Sequence, residues 1–152
     1  MAADFTHYGE NNMPRMVDVG PKKEVGRMAK AEGFIYVGPE VITKLGAMEL
    51  KKGEPFTAAK LAGIAAAKKT SDLIPLAHPL PLTFADVDFT TDTLNSVIKA
   101  FSEVRCFGKT GVEMEALCAV SVALLTIYDM CKAVSKNMRI EGIRLIEKKK
   151  DE

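Results

Sequence analysis

Asp129 and Lys132 lie three residues apart in LTIYDMCKAVSK, close enough to share one face of a helix and touch. A carboxylate beside an ammonium in a partly dry site is a general acid/base couple, each group tuning the other. The rival reading is a purely structural helix-end ion pair. Context favours chemistry, because the pair ends the uncharged stretch 116–128, where desolvating charge is costly unless function compensates. At the other end of the same stretch stand Glu113 and Glu115. Thr110-Gly111-Val112-Glu113 fits a capping box with Thr110 as N-cap, which gives Glu113 a structural task. Glu115 has none, so it is the better candidate for ligand contact. His78, between Ala77 and Pro79, is either a satisfied core residue or a rigidly presented imidazole for proton transfer.

Basic residues gather upstream: Lys22, Lys23 and Arg27, then Lys51, Lys52, Lys60, Lys68 and Lys69. Each alone reads as solvated surface, but Lys68 and Lys69 could converge on a polyphosphate. GKTG at 108–111 looks like the end of a phosphate loop, yet Glu103 stands where a Walker A motif needs Gly. Backbone N–H groups at this helix start could still hold an anion.

These groups need elements to carry them. Lys109–Lys136 reads as one long helix, apolar all round in its middle and therefore buried on more than one side. Met16–Val19 is a short strand candidate, and Val25–Val37 a strand or strand pair. Gly38-Pro39-Glu40 starts a helix running to about Met48, and Glu54-Pro55 starts another to about Thr70. The second is rich in Ala and Gly, so its backbone can approach a neighbour closely. DLIPLAHPLPLTF is extended through its prolines. Leu82–Thr91 and Ser96–Phe107 form a hairpin, and Met138–Ile146 closes the sheet. The expected class is α+β, an antiparallel sheet with helices packed on one face.

Glu115 and Asp129, 14 residues apart, are separated by about 21 Å along a helix. They cannot meet on one small substrate within one chain. A site using both requires two subunits with these helices antiparallel. The all-round apolar helix and the Ala/Gly-lined helix also point to oligomerisation.

With 152 residues, a net charge of +1 and no repeat or linker, the chain reads as one domain: an arm over 1–15, a catalytic domain over 16–148 and a charged tail over 149–152. The charge gives no bulk attraction to nucleic acid or membrane. The N-terminus lacks an apolar secretion core, and 116–128 is too short for a bilayer span. Cys106, Cys118 and Cys131 lack CxxC spacing and read as reduced thiols of a cytoplasmic protein. With only His7 and His78 as histidines, no zinc site is expected.

MVDVGPK (16–22), AGIAAAKKTSDLIPLAHPLPL (62–82), GKTGVEMEAL (108–117) and LTIYDMCKAVSK (125–136) together resemble the MoaC family, the cyclic pyranopterin monophosphate synthases of molybdenum cofactor (molybdopterin) biosynthesis. The resemblance runs from about Phe5 to Lys148. It implies a ferredoxin-like α+β fold and a homohexamer, a trimer of dimers with interfacial active sites. It implies a lyase acting on a GTP-derived substrate, 3′,8-cyclo-7,8-dihydroguanosine 5′-triphosphate, giving the pterin and pyrophosphate. It places catalysis at Asp129, Lys132 and His78. It puts substrate contacts at Leu76, Ala77, His78, Met114, Glu115 and the nearby Glu113, and at the basic Arg27, Lys52, Lys68 and Lys148. No metal ligand or cofactor is required, and Mg²⁺ would come only with the triphosphate. Two positions depart from many members: Ala77 stands for Cys, which argues against obligatory thiol chemistry there, and Ser71 stands for Trp, which removes an aromatic wall. Two other classes remain as alternatives, a small-ligand regulatory module and a purely structural oligomer.

Overall fold

A computed structural model describes residues 7–8, 13–47 and 54–151. Its elements run β1 (Val25–Tyr36), α1 (Pro39–Gly46), α2 (Pro55–Lys68), α3 (Thr70–Leu73), β2 (Leu82–Asp92), β3 (Val97–Gly108), α4 (Glu113–Cys131) and β4 (Arg139–Lys150). The four strands form one antiparallel sheet in the order β2-β3-β1-β4. With α2 and α4 as the crossovers, this is the expected ferredoxin-like α+β arrangement.

Strand periodicity divides the sheet. Ala29, Ala31 and Ile35 of β1, with Ile98, Ala100, Val104 and Cys106 of β3, point to the helix side and are buried. Their alternates Lys30, Glu32, Lys99, Glu103 and Arg105 face the other way and pair there, Glu32 taking Lys99 at 2.7 Å and Arg144 at 2.6 Å. Small alanines on the inner face let α4 lie flat over β1 and β3, and Leu124 and Ile127 of α4 are fully buried. Each such side chain contributes about 1.5–3 kcal/mol. Although α4, at 19 residues, is apolar enough to cross a bilayer by length and composition, it packs here as the core helix.

The helix α2 packs along α4. At Gly63 an added Cβ would come within 2.8 Å of the Ala119 carbonyl oxygen and 3.3 Å of the Ala123 Cβ. The close approach that the Ala/Gly composition announced is therefore made inside the chain, and at this face it gives no argument for a partner. Further corrections follow from local geometry. The long helix is shorter than expected: it starts at Glu113, with Val112 as N-cap and no side-chain cap, so Thr110 forms no capping box. It ends at Cys131, with Lys132 as C-cap. Met16–Val19 forms no strand. Asp72 and Leu73 belong to α3, and the Ala77 amide donates to the Ile74 carbonyl at 3.0 Å, so the proline-rich run opens with a turn before it extends. Lys149 and Lys150, read as tail, are strand residues opposite Met28 and Arg27.

Candidate functional site

Two connections converge beside the start of α4. The segment after α3 brings Ile74, Leu76, Ala77, His78 and Leu80, its course set by Pro75, Pro79 and Pro81. The β3–α4 connection brings Thr110 and Gly111, and the first turn of α4 adds Glu113, Met114 and Glu115. Together with His7 they line a cleft of about 320 Å³. Six residues expected from the sequence at the substrate thus share one wall: Leu76, Ala77, His78, Glu113, Met114 and Glu115.

Glu115 carries a carboxyl whose charged form burial disfavours. It is 4% exposed, and its carboxyl is pushed up to about 6, first by burial and further by the Glu113 charge, against the hydrogen bond from its own backbone N–H. A helix N-terminus favours an anion, so desolvation outweighs the dipole here. Such a carboxylate gains most from a ligand that brings N–H donors. Glu113 faces a cation instead: Lys148, from β4, reaches its carboxylate at 3.4 Å. His78 is half-buried, and its Nε2 lies 2.8 Å from the Val17 carbonyl oxygen.

Arg27 stands just behind this wall. Its Nη2 donates to the Lys109 carbonyl at 3.2 Å, while its Nε is buried without a partner among the described residues. It pairs across the sheet with Cys106, whose thiol is pushed up by burial and by the Glu115 charge, with Arg27 opposing. Arg27 lines a second cleft, of about 510 Å³, with Lys30, Arg105 and Lys149.

The structure does not bring every expected residue here. Asp129 and Lys132 sit at the far end of α4, paired at 2.7 Å with 56% and 57% of their side chains exposed. The hydrogen bond to Asp129 holds the lysine ammonium above its usual range. The partly dry setting expected for this pair is not made by the described residues. Lys68 is exposed at the end of α2. Lys52, and the Lys51 beside it, lie outside the described residues. Conversely, His7 of the expected arm lines the cleft and the Val17 carbonyl meets His78, neither with a signal in the sequence. Main-chain acceptors leave no mark in residue types. Among the described residues no three His, Cys, Asp or Glu side chains gather to hold a metal ion.

Between the two ends of α4 an outward stripe runs through Met114, Cys118, Ser121, Val122 and Leu125 to Asp129. Leu125 is 56% exposed, and the Ser121 hydroxyl is spent on the Leu117 carbonyl at 2.8 Å, so the stripe is apolar in effect.

Comparison with known proteins bears on the whole chain. A family model described as the MoaC family matches residues 16–151. The chain is 50% identical over 146 residues to a cyclic pyranopterin monophosphate synthase of Roseiflexus castenholzii, covering 96% of this chain and 92% of the relative. It is 52% identical over 144 residues to one of Heliobacterium modesticaldum (95% and 91%). To one of Listeria welshimeri it is 49% identical over 145 residues (95% and 90%).

Proposed function

The chain belongs to the MoaC family, and from that premise we propose how its residues share one reaction. The reaction converts (8S)-3′,8-cyclo-7,8-dihydroguanosine 5′-triphosphate to cyclic pyranopterin monophosphate, releasing pyrophosphate, a step of molybdenum cofactor biosynthesis. The observation that carries this function is identity of about half the residues over 96% of the chain with synthases of that name.

Opening the imidazole ring of the substrate and closing the pterin ring requires several proton transfers, which Asp129, Lys132 and His78 share. Forming the cyclic phosphate requires attack on the α-phosphorus as the bond to the β-phosphate breaks. Arg27, Lys52, Lys68 and Lys148 neutralise the charge on the leaving pyrophosphate. Leu76, Ala77 and Met114 pack on the ring system, and Glu115, beside Glu113, accepts its N–H donors. A Mg²⁺ riding on the triphosphate would take its ligands from phosphate and water, since the described residues offer it no cage.

The site is shared between two chains. The straight α4 holds Glu115 and Asp129 about 21 Å apart, and the apolar stripe joining them fits the same stripe of a second α4 running antiparallel. That pairing sets the partner's end of the stripe against each cleft and dries the exposed ion pair. A hexamer then follows as three such dimers, and the enzyme works in the cytoplasm.

The test is to supply the purified protein with the cyclised nucleotide and follow pyrophosphate and the oxidised fluorescent pterin. Product from the wild type but not from Asp129→Asn supports the reading. Tight binding without product would transfer support to the regulatory-module alternative.

A further inference from the structure

The segment 17–20 has no regular secondary structure, yet it is tied down at several points. The Val17 carbonyl oxygen meets His78 Nε2 at 2.8 Å, and the Gly20 carbonyl accepts from Lys109 Nζ at 2.8 Å. Asp18 Oδ1 accepts the Gly20 amide at 2.7 Å, and the Lys22 amide closes a turn on the Val19 carbonyl at 3.0 Å. Lys109 is itself held where its carbonyl takes Arg27 Nη2 at 3.2 Å.

We infer that this segment is a strap that fixes the tautomer of His78. A carbonyl oxygen has no proton to give, so the ring nitrogen facing it must be the donor. The opposite tautomer would set two lone pairs against each other at 2.8 Å. The neutral ring of His78 is therefore the Nε2–H tautomer, with the lone pair on Nδ1. Among the described residues no side chain or amide forms a hydrogen bond to Nδ1. Val17, through its carbonyl, and Lys109, through its ammonium, are positioning groups for the ring. The inference deepens the reading of His78 as a proton-transfer group and rests on it for its consequence in turnover, though not for the tautomer itself.

The decisive measurement is a long-range ¹H–¹⁵N spectrum of the free 152-residue chain, labelled at histidine, taken at pH 8. His78 is identified by the signals lost in His78→Gln. The expected pattern is a bare nitrogen at Nδ1 and an N–H at Nε2. The reverse tautomer, an average of both, or a doubly protonated ring would overturn the inference. Two substitutions divide the ring's tasks. A glutamine amide nitrogen reaches the place of Nε2, and an asparagine amide the place of Nδ1. His78→Gln should keep amide-exchange protection over residues 17–22 while losing turnover, and His78→Asn should lose both. Protection kept in Asn, or lost in Gln, would show that the strap is not held at Nε2. Lys109→Met removes the other anchor; it should mix the tautomers and lower kcat by about tenfold with little change in KM. An unchanged tautomer in that variant would take Lys109 out of the strap. Because the spectra use the free chain, a failed product assay would count against the synthase reading and leave the tautomer result standing.

Discussion

At the N-terminal end of α4, Glu115 is 4% exposed and borders a cleft of about 320 Å³; at the C-terminal end, Asp129 and Lys132 keep more than half of their side-chain surface in water. One helix therefore carries an enclosed carboxyl and an exposed carboxylate–ammonium pair. The first end has its walls within the chain, supplied by the proline-braced run to His78 and by the β3–α4 connection. The second end has a 2.7 Å ion pair more than half exposed to solvent. On the two-chain proposal, the difference means that each chain supplies one finished and one open half of a site. Desolvation, the usual lever for tuning a catalytic group, acts on Glu115 within the chain and would act on Asp129 only if a second surface covered it.

The largest effect expected comes from separating the two ends genetically. Asp129→Asn should lower kcat and Glu115→Gln kcat/KM, each by about 10²–10⁴, with circular dichroism unchanged. Mixed after reversible dissociation, the two inactive proteins should recover about a quarter of wild-type activity. Half of the dimers are then mixed, and each of those has one site with both native groups. No recovery from verified mixed oligomers would break the two-chain comparison and return both ends to separate roles.

Next in size is a change at the seam that fixes α4. Gly63→Val would push side-chain atoms into the Ala119 carbonyl, already 2.8 Å from an added Cβ. Overpacking of this kind should destabilise the chain by about 3 kcal/mol in urea denaturation. The cost belongs to the fold of each chain. A variant of wild-type stability that dissociates would move the α2 seam to the subunit interface, contrary to the structure.

The elements were legible because their signals are local. Strand alternation placed β1, β2, β3 and β4, and Pro39 and Pro55 marked the starts of α1 and α2. The cleft was legible in part for the same reason: LIPLAHPL and GVEMEAL carry its wall residues on short segments. The ends of α4 were misread because a favourable capping sequence competes with tertiary demand. The chain enters α4 from β3 through residues 109–112, Val112 rather than Thr110 stands at the N-cap, and the Glu113 carboxylate contacts Lys148 at 3.4 Å. The Ala/Gly face of α2 was read as meeting another chain when its neighbour was α4, since composition records closeness and not the identity of the partner. The strap on His78 was illegible because its acceptors are backbone carbonyls.

The enclosed end should report its own burial. The folded carboxyl of Glu115 titrates at about 6, against 4.5 for the ordinary group. Between those values the folded chain keeps a proton that the unfolded chain has released. Unfolding free energy should therefore fall as pH rises from about 4.5 to about 6 and level off above it. The contribution is at most about 2 kcal/mol, reduced by whatever screening the cleft water provides. Urea titrations at fixed protein concentration should show this component in the wild type and its loss in Glu115→Gln. A component centred higher than pH 6 would mean that the partner seals the cleft, sharpening the comparison. Identical profiles for the two proteins would remove desolvation as the distinguishing feature of this end.

The smallest effect should come from the open end, and its smallness is the informative part. Lys132→Met removes the cation from a pair that stands in solvent, where Coulomb attraction is weak and ordering two side chains costs entropy. The unfolding midpoint should stay within experimental error of the wild type, and sedimentation at high dilution should return the same oligomer. Turnover should nevertheless collapse, because Asp129 loses the neighbour that tunes it once the partner surface has dried the site. A pair serving only as an interface lock would give the opposite result: weakened assembly, with activity recovered on raising the protein concentration. A helix end that stability assays do not register and catalysis requires is what a half-site should look like before its other half is present.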